Sequence, residues 1–152
     1  NYVKIGNNLG QYRATTTNTA PPANFIGEEI RSAVALAGAV TLTTATAATV
    51  TSVALTPGNW SISFIGSVNG AVTGTAFAFG VATTTNSTTG WVDGDNDIGT
   101  PTGPTSNTDQ SVSMPGWRVS IASNTTYYLT SICTFSAGTL KAYGRISAVR
   151  VG

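Results

Sequence analysis

Between Trp60 and Ser67 the chain reads WSISFIGS, with Trp60, Ile62, Phe64 and Gly66 on one side of an extended backbone and Ser61, Ser63, Ile65 and Ser67 on the other. A period of two sends alternate side chains to opposite faces of a strand, and a helix cannot gather that set on one side. Pro57-Gly58 opens the segment as a tight turn, the proline presetting φ and the glycine accepting a positive one. The same pattern recurs from about residue 30 onward. Short β-branched runs near 32–37, 39–44, 48–56, 59–68, 75–84, 109–121, 126–135 and 139–151 are parted by turn signals. Eight such segments predict an all-β fold, an antiparallel jelly-roll sandwich. The only helical signal is a single turn at GEEIRS, residues 27–32.

Two stretches fall outside this pattern. The run GQYRATTTNTAPPANFIG, residues 10–27, has neither a heptad nor a period of two. Residues 1–30 therefore read as an extended lead-in, anchored by Tyr2, Tyr12 and Phe25, and 31–152 as the folded domain. Thr85 to Asn107 reads as a long polar connection without structure of its own. Loops beyond about 12–15 residues are uncommon in compact domains unless they serve a function, so this is the first candidate for a contact tip.

A chain of 152 residues is one domain's worth and can bury one core. Only 9% of its residues are charged, so hydroxyls and amides rather than ions keep its surface in water. A formal net charge of +1 supplies no field to collect nucleic acid or anionic lipid, which argues against nucleic-acid binding. No window reaches the about 18 apolar residues of a membrane helix, and no secretory signal precedes the domain. The start at Asn1 suggests a fragment or processed form whose upstream part carries targeting and attachment. Cys133 is the only cysteine, which excludes an internal disulfide. Set in TYYLTSICTF it reads as core, and no histidine exists to activate it.

Asp93, Asp95 and Asp97 alternate in WVDGDNDIG like the first ligands of a calcium loop. Such a loop needs glycine at its sixth position and an acid at its twelfth, where this chain has Ile98 and Pro104. The aspartates read as an Asp/Gly turn cluster, with no metal assigned. They are also poorly placed as a glycosidase pair, because a solvated loop does not split two carboxylate pKa values. With no His, one Cys and the two Glu adjacent, neither a serine triad nor a His-based metal site can be assembled. The reading is non-enzymatic, without cofactors. Trp60 alternates with core residues, Trp117 follows a strand bend, and Trp91 heads the polar loop as the tryptophan expected in solvent. Trp91, Asp93, Asp95 and Asp97 are thus the candidates for receptor or surface binding. The sequons at Asn59, Asn86 and Asn124 are expected by chance in so Asn- and Thr-rich a chain.

In the last strand Leu140, Ala142, Gly144, Ile146 and Ala148 alternate with Lys141, Tyr143, Arg145, Ser147 and Val149. The first set suits a sandwich core; the second mixes aromatic, cationic and apolar groups as subunit interfaces do. Gly27, Glu28 and Ile30 form G-E-x-I, and Leu55, Thr56, Gly58 and Trp60 form L-T-x-G-x-W. Thr126, Tyr127, Tyr128 and Leu129 run through the penultimate strand. Phe135, Gly138, Ala142, Tyr143, Gly144, Ile146, Ala148 and Arg150 form F-x-x-G-x-x-x-A-Y-G-x-I-x-A-x-R. Taken together, these pieces resemble the C-terminal knob of short-tailed phage tail needles and related fibre tips, over roughly residues 26–151 and least across 85–108.

The resemblance implies a TNF-like jelly roll, homotrimeric, at the distal end of a needle or fibre. It implies a structural virion component at the phage tail tip, assembled in the host cytoplasm. Its partners would be a bacterial cell-surface component and, through an upstream stalk, the tail and portal machinery. It would act in host attachment and DNA ejection. A carbohydrate-binding receptor-recognition module is the alternative. Arg118, Lys141, Tyr143, Arg145 and Arg150 are the trimer-interface candidates. Glu28, Glu29 and Asp109 are the expected partners of these basic residues, with a small anion at the protomer interface as the other option.

Overall fold

A computed structural model describes residues 21–100 and 108–152, and of residues 73–75 the backbone alone. Most of the expected lead-in, with Tyr2 and Tyr12, lies outside the described residues. Seven strands follow in order: β1 (Glu29–Val34), β2 (Val40–Thr41), β3 (Ala48–Leu55), β4 (Gly58–Ala82), β5 (Asp97–Thr100), β6 (Gln110–Ile121) and β7 (Thr125–Arg150). One 3-10 turn, Leu36–Gly38, separates β1 from β2.

β4 and β7 pair antiparallel almost end to end, from Trp60 opposite Arg150 to Ala82 opposite Tyr128. Each of the two is what the sequence pattern had suggested were two strands. The ribbon does not run straight. Gly66 lies under the ring of Phe79, so closely that a Cβ at Gly66 would enter that ring. Thirteen residues of straight strand would part them by about 43 Å. β4 therefore folds back on itself, and β7 folds with it.

The fold line falls where the ladder shifts register, between Val72 and Gly74 and between Gly74 and Ala76. Gly70 (φ +152°) and Gly138 (φ +95°) flank it, and a Cβ on either would strike the partner strand's carbonyl, that of Thr139 or of Ala71. Only glycine serves at such a corner.

Folding the ribbon gives two layers. In the first, β6 pairs with the early half of β4, and β1 with the late half of β7; in the second, β5 pairs with late β4 and β3 with early β7. β2 adds two residues beside β7, Val40 opposite Ala142 and Thr41 opposite Lys141. The layer edges approach each other: Ser32 of β1 and Thr51 of β3 share a 2.6 Å hydroxyl hydrogen bond. The result is an antiparallel all-β sheet system, nearly closed, of the sandwich and jelly-roll type.

Trp60, Ile62, Phe64, Phe77, Phe79, Leu129, Leu140 and Ile146 fill the space between layers, each at most 2% exposed. Burial of one such side chain contributes about 2 kcal/mol by transfer. Phe77 and Phe79 meet edge to face at 6.2 Å. Cys133 is buried here, as expected of a core thiol, its Sγ 3.0 Å from the Ala76 carbonyl; burial pushes its pKa up.

Four local expectations change. GEEIRS makes no helical turn: β1 starts at Glu29 and pairs with β7 from Val149 onward. β1 ends at Val34, short of residue 37, where the 3-10 turn carries the chain off the sheet. The run near 39–44 yields only Val40–Thr41. The connection after Thr85 contains β5, paired with β4 from Phe77–Thr100 to Gly80–Asp97.

Candidate functional site

Three regions hold the residues singled out by sequence. The first is a closed cluster around Arg150. Its Nε donates to Glu28 Oε2 at 2.9 Å, Nη1 to the Pro57 carbonyl at 2.8 Å, and Nη2 to Thr56 Oγ1 at 2.5 Å and Asn24 Oδ1 at 3.4 Å. The guanidinium carbon lies 4.2 Å from the Trp60 ring centroid. Glu28 Oε2 also accepts the Asn24 backbone N–H at 2.7 Å. Hydrogen bonding to Arg150, opposed by burial, holds the Glu28 carboxyl below its ordinary range.

Backbone bonds close the same knot. Gly27 N–H donates to the Arg150 carbonyl and Arg150 N–H to the Glu28 carbonyl, both at 2.9 Å. Arg150, one of the trimer-interface candidates, is 5% exposed within its own chain and pairs with Glu28, one of the partners expected for the basic residues. The cluster is a staple that ties the segment before β1 to the end of β7 and the turn before β4.

The second region is the loop joining β4 to β5, organised by a residue that sequence reasoning passed over. Asn96 is fully buried. Its Oδ1 accepts the Val92 N–H at 2.8 Å, and its Nδ2 donates to the carbonyls of Gly90 at 2.8 Å and Val81 at 3.5 Å. In sequence it looks like one more polar turn residue between two aspartates. No period or motif marks it.

Trp91, expected in solvent, is half-buried. Its ring lies on Gly80, where a Cβ would collide with it, and its Nε1 donates to Thr130 Oγ1 at 3.1 Å. The indole thus covers the outer side of the second layer. Asp93 and Asp95 are exposed and Asp97 is half-exposed. Asp95 Oδ2 accepts from Trp117 Nε1 at 3.1 Å, which pins the loop to β6, and Asp97 Oδ1 accepts the Gly94 N–H at 3.2 Å. Trp117 packs edge to face on Tyr127 at 6.0 Å. Among the described residues no group of three His, Cys, Asp or Glu is placed to hold a metal ion.

The third region is the outer face of the first layer. The register sets side chains in rows across it: Glu29, Val149, Ser61, Arg118; then Arg31, Ser147, Ser63; then Ala33, Arg145, Ile65, Ser113. Tyr143 stands opposite Ser67, and Lys141 opposite Asn69. Asn69 Nδ2 donates to Asp109 Oδ1 at 2.7 Å, and Ser67 shares a 2.7 Å hydroxyl bond with Ser111. Burial, then the Asp109 carboxylate beside it, pushes the Tyr143 phenol up, with Ser67 acting the other way.

Arg31, Arg118, Lys141 and Arg145 are all exposed on this face. Among the described residues, none of the four lies within ion-pairing distance of a carboxylate; the ion pair found is Glu28–Arg150. Ile65 and Val149, each 37% exposed, stand among them. A shallow depression lies beside Arg145, lined by Ala33, Val34, Ala35, Ile65 and Tyr143, where the 3-10 turn has left the sheet. Serines and alanines stand between the large side chains across the face, which carries four cations against the two carboxylates Glu29 and Asp109. It suits contact with a broad surface better than enclosure of a small molecule.

Compared with known protein families and with characterised proteins, the chain matches none.

Proposed function

We propose that this chain is the trimeric, TNF-like distal knob of a phage tail needle or fibre. It is a structural and non-enzymatic virion component that meets the bacterial surface during attachment and genome ejection. One observation carries the reading. Three pieces of the resemblance that are far apart in sequence, Glu28 of G-E-x-I, Thr56 and Trp60 of L-T-x-G-x-W, and the final Arg150, converge on a single staple. The residues that carry the resemblance thus share one structural task in this chain. The all-β sandwich type of the fold, and an outer face whose cations have no carboxylate within ion-pairing distance among the described residues, agree with the same reading.

In this reading the outer face of the first layer meets a neighbouring copy. The β4–β5 loop is left at an edge of the sandwich. Light scattering at two protein concentrations tests the assembly, with a mass of three times 15.5 kDa expected. A monomer at both concentrations overturns the knob reading. Attachment is tested by binding of the labelled chain to outer-membrane preparations from a panel of bacteria. Saturable binding to some members is expected, and uniform absence of binding removes the attachment role.

A further inference from the structure

The exposed charges of this chain are sorted by location. Every exposed cation among the described residues, Arg31, Arg118, Lys141 and Arg145, stands on the outer face of the first layer. Three of the six acids, Asp93, Asp95 and Asp97, stand together on the β4–β5 loop. Of the other three, Glu28 is paired with Arg150, while Glu29 and Asp109, the latter accepting the neutral Asn69 amide, stand on the cationic face and leave it with four cations against two carboxylates.

Four of the eight exposed large hydrophobics among the described residues divide the same way; the other four, Phe25, Ile26, Leu36 and Val151, belong to the segment before β1, the 3-10 turn and the chain after β7. Ile65 and Val149 lie among the cations, whereas Val92 (55% exposed) and Ile98 (36%) flank the aspartates. Each surface therefore offers two large aliphatic side chains beside net charge of one sign. The loop is held at the sandwich edge by the Asp95–Trp117 bond, and the cationic face is the broad side of the layer to which β6 belongs.

A two-fold pairing of the cationic face with itself would set like charges opposite each other, which costs several kcal/mol in a close interface. A head-to-tail arrangement sets unlike surfaces together and closes into a ring when the rotation allows. We propose that each copy seats the Val92–Ile98 edge, with Asp93, Asp95 and Asp97, on the Ile65–Val149 face of the next copy, beside Arg118 and Arg145. This rests on the trimer reading and names what fills its interface. Edge-to-face seating gives Arg118 and Arg145 carboxylate partners and covers Ile65, Val149, Val92 and Ile98 at once.

The test is a charge swap in the purified full chain, read as the mass distribution by sedimentation across protein and salt concentrations. One set reverses the face, Arg118→Glu with Arg145→Glu. The other reverses the loop, Asp93→Lys with Asp97→Lys, with Asp93→Lys alone as the variant that spares the hydrogen bond from Gly94. Circular dichroism checks the fold of each. Either set is expected to weaken assembly about tenfold or more, and added salt to weaken the unaltered trimer. Both sets on one chain are expected to recover much of it, because the reversed positions 93 and 97 again face opposite charges at positions 118 and 145, with Asp95 as the one unreversed loop charge.

If neither set alters the trimer, the pairing is wrong while the trimer reading stands. If each weakens it but the combined chain stays weak, face and loop do not meet, and the proposal fails. A monomeric unaltered chain removes both readings.

Discussion

The staple around Arg150 predicts an asymmetry between its two charged partners. Without Glu28, Arg150 keeps three neutral acceptors, the Pro57 carbonyl, Thr56 Oγ1 and Asn24 Oδ1, as well as the Trp60 ring. Without Arg150, the Glu28 carboxylate keeps only the Asn24 N–H, on a side chain 11% exposed. Glu28→Gln removes one charge-assisted hydrogen bond and should cost about 1.5 kcal/mol. Arg150→Met strands a largely buried carboxylate, about 3 kcal/mol, and loses the cation–π contact, about 1 kcal/mol more. Urea unfolding followed by tryptophan fluorescence at fixed protomer concentration measures both, since assembly makes midpoints depend on concentration. The midpoints of the two variants should differ by about 1 M, taking a slope of about 2 kcal/mol per molar. The double variant should be less destabilised than the sum of the singles, because it leaves no stranded charge. Equal shifts, or a larger shift for Glu28→Gln, would refute the view that the remaining acceptors sustain Arg150.

The same pair sets an acid limit. The folded-state pKa of Glu28 is lowered from 4.5, so its stabilising contribution is complete above the unfolded value and disappears as pH falls through the folded one. The stability gap between the unaltered chain and Glu28→Gln should be constant at neutral pH and close below about pH 4.5, as pH-resolved urea melts would show; a gap that widens on acidification contradicts the assignment. Asn96→Ala should loosen the β4–β5 loop, at about 3 kcal/mol for its stranded backbone groups. Proteolysis within residues 83–97 and a red shift of Trp91 emission report it, and an unchanged cleavage pattern would show that the loop is held by something else.

The strand grammar was legible because it depends on local pattern: Trp60, Ile62 and Phe64 alternate, and each is at most 2% exposed in the core. That two predicted strands are one folded ribbon was not legible. Continuity across Val72–Ala76 depends on bulges and on Gly138 meeting the Ala71 carbonyl, both set by a partner strand about sixty residues away. A Gly-rich break between β-branched runs looks the same whether the chain leaves the sheet or bends within it. β5 was missed for a related reason. Asp97–Thr100 has no alternation of its own and becomes a strand because late β4 offers it an edge. Trp91 was misplaced because a polar neighbourhood in sequence hides a glycine floor in space, Gly80, which only the fold brings under the indole.

Arg150 is different, since its place could have been read from parity. Leu140, Ala142, Ile146 and Ala148 are the buried set of β7, and Arg150 continues their even numbering, whereas Lys141, Tyr143 and Arg145 are odd. A cation on the inward register of a strand must bring its own acceptors or the strand does not form there. Gly58 leaves room for the guanidinium, and Glu28, Thr56 and Asn24 are the acceptors that surround it. With Arg150 assigned inward, parity also sorts the others: Lys141 and Arg145 on β7, Arg118 opposite Ser61, and Arg31 opposite Ser147 all take the outward register of one layer. Four cations collected on one face by a period of two, and left without carboxylates among the described residues, are either a solvated surface or half of a contact. Ile65 and Val149, each 37% exposed, stand two rows apart among them, single side chains of a kind that a solvated surface also carries, so the case for a contact rests on the charges.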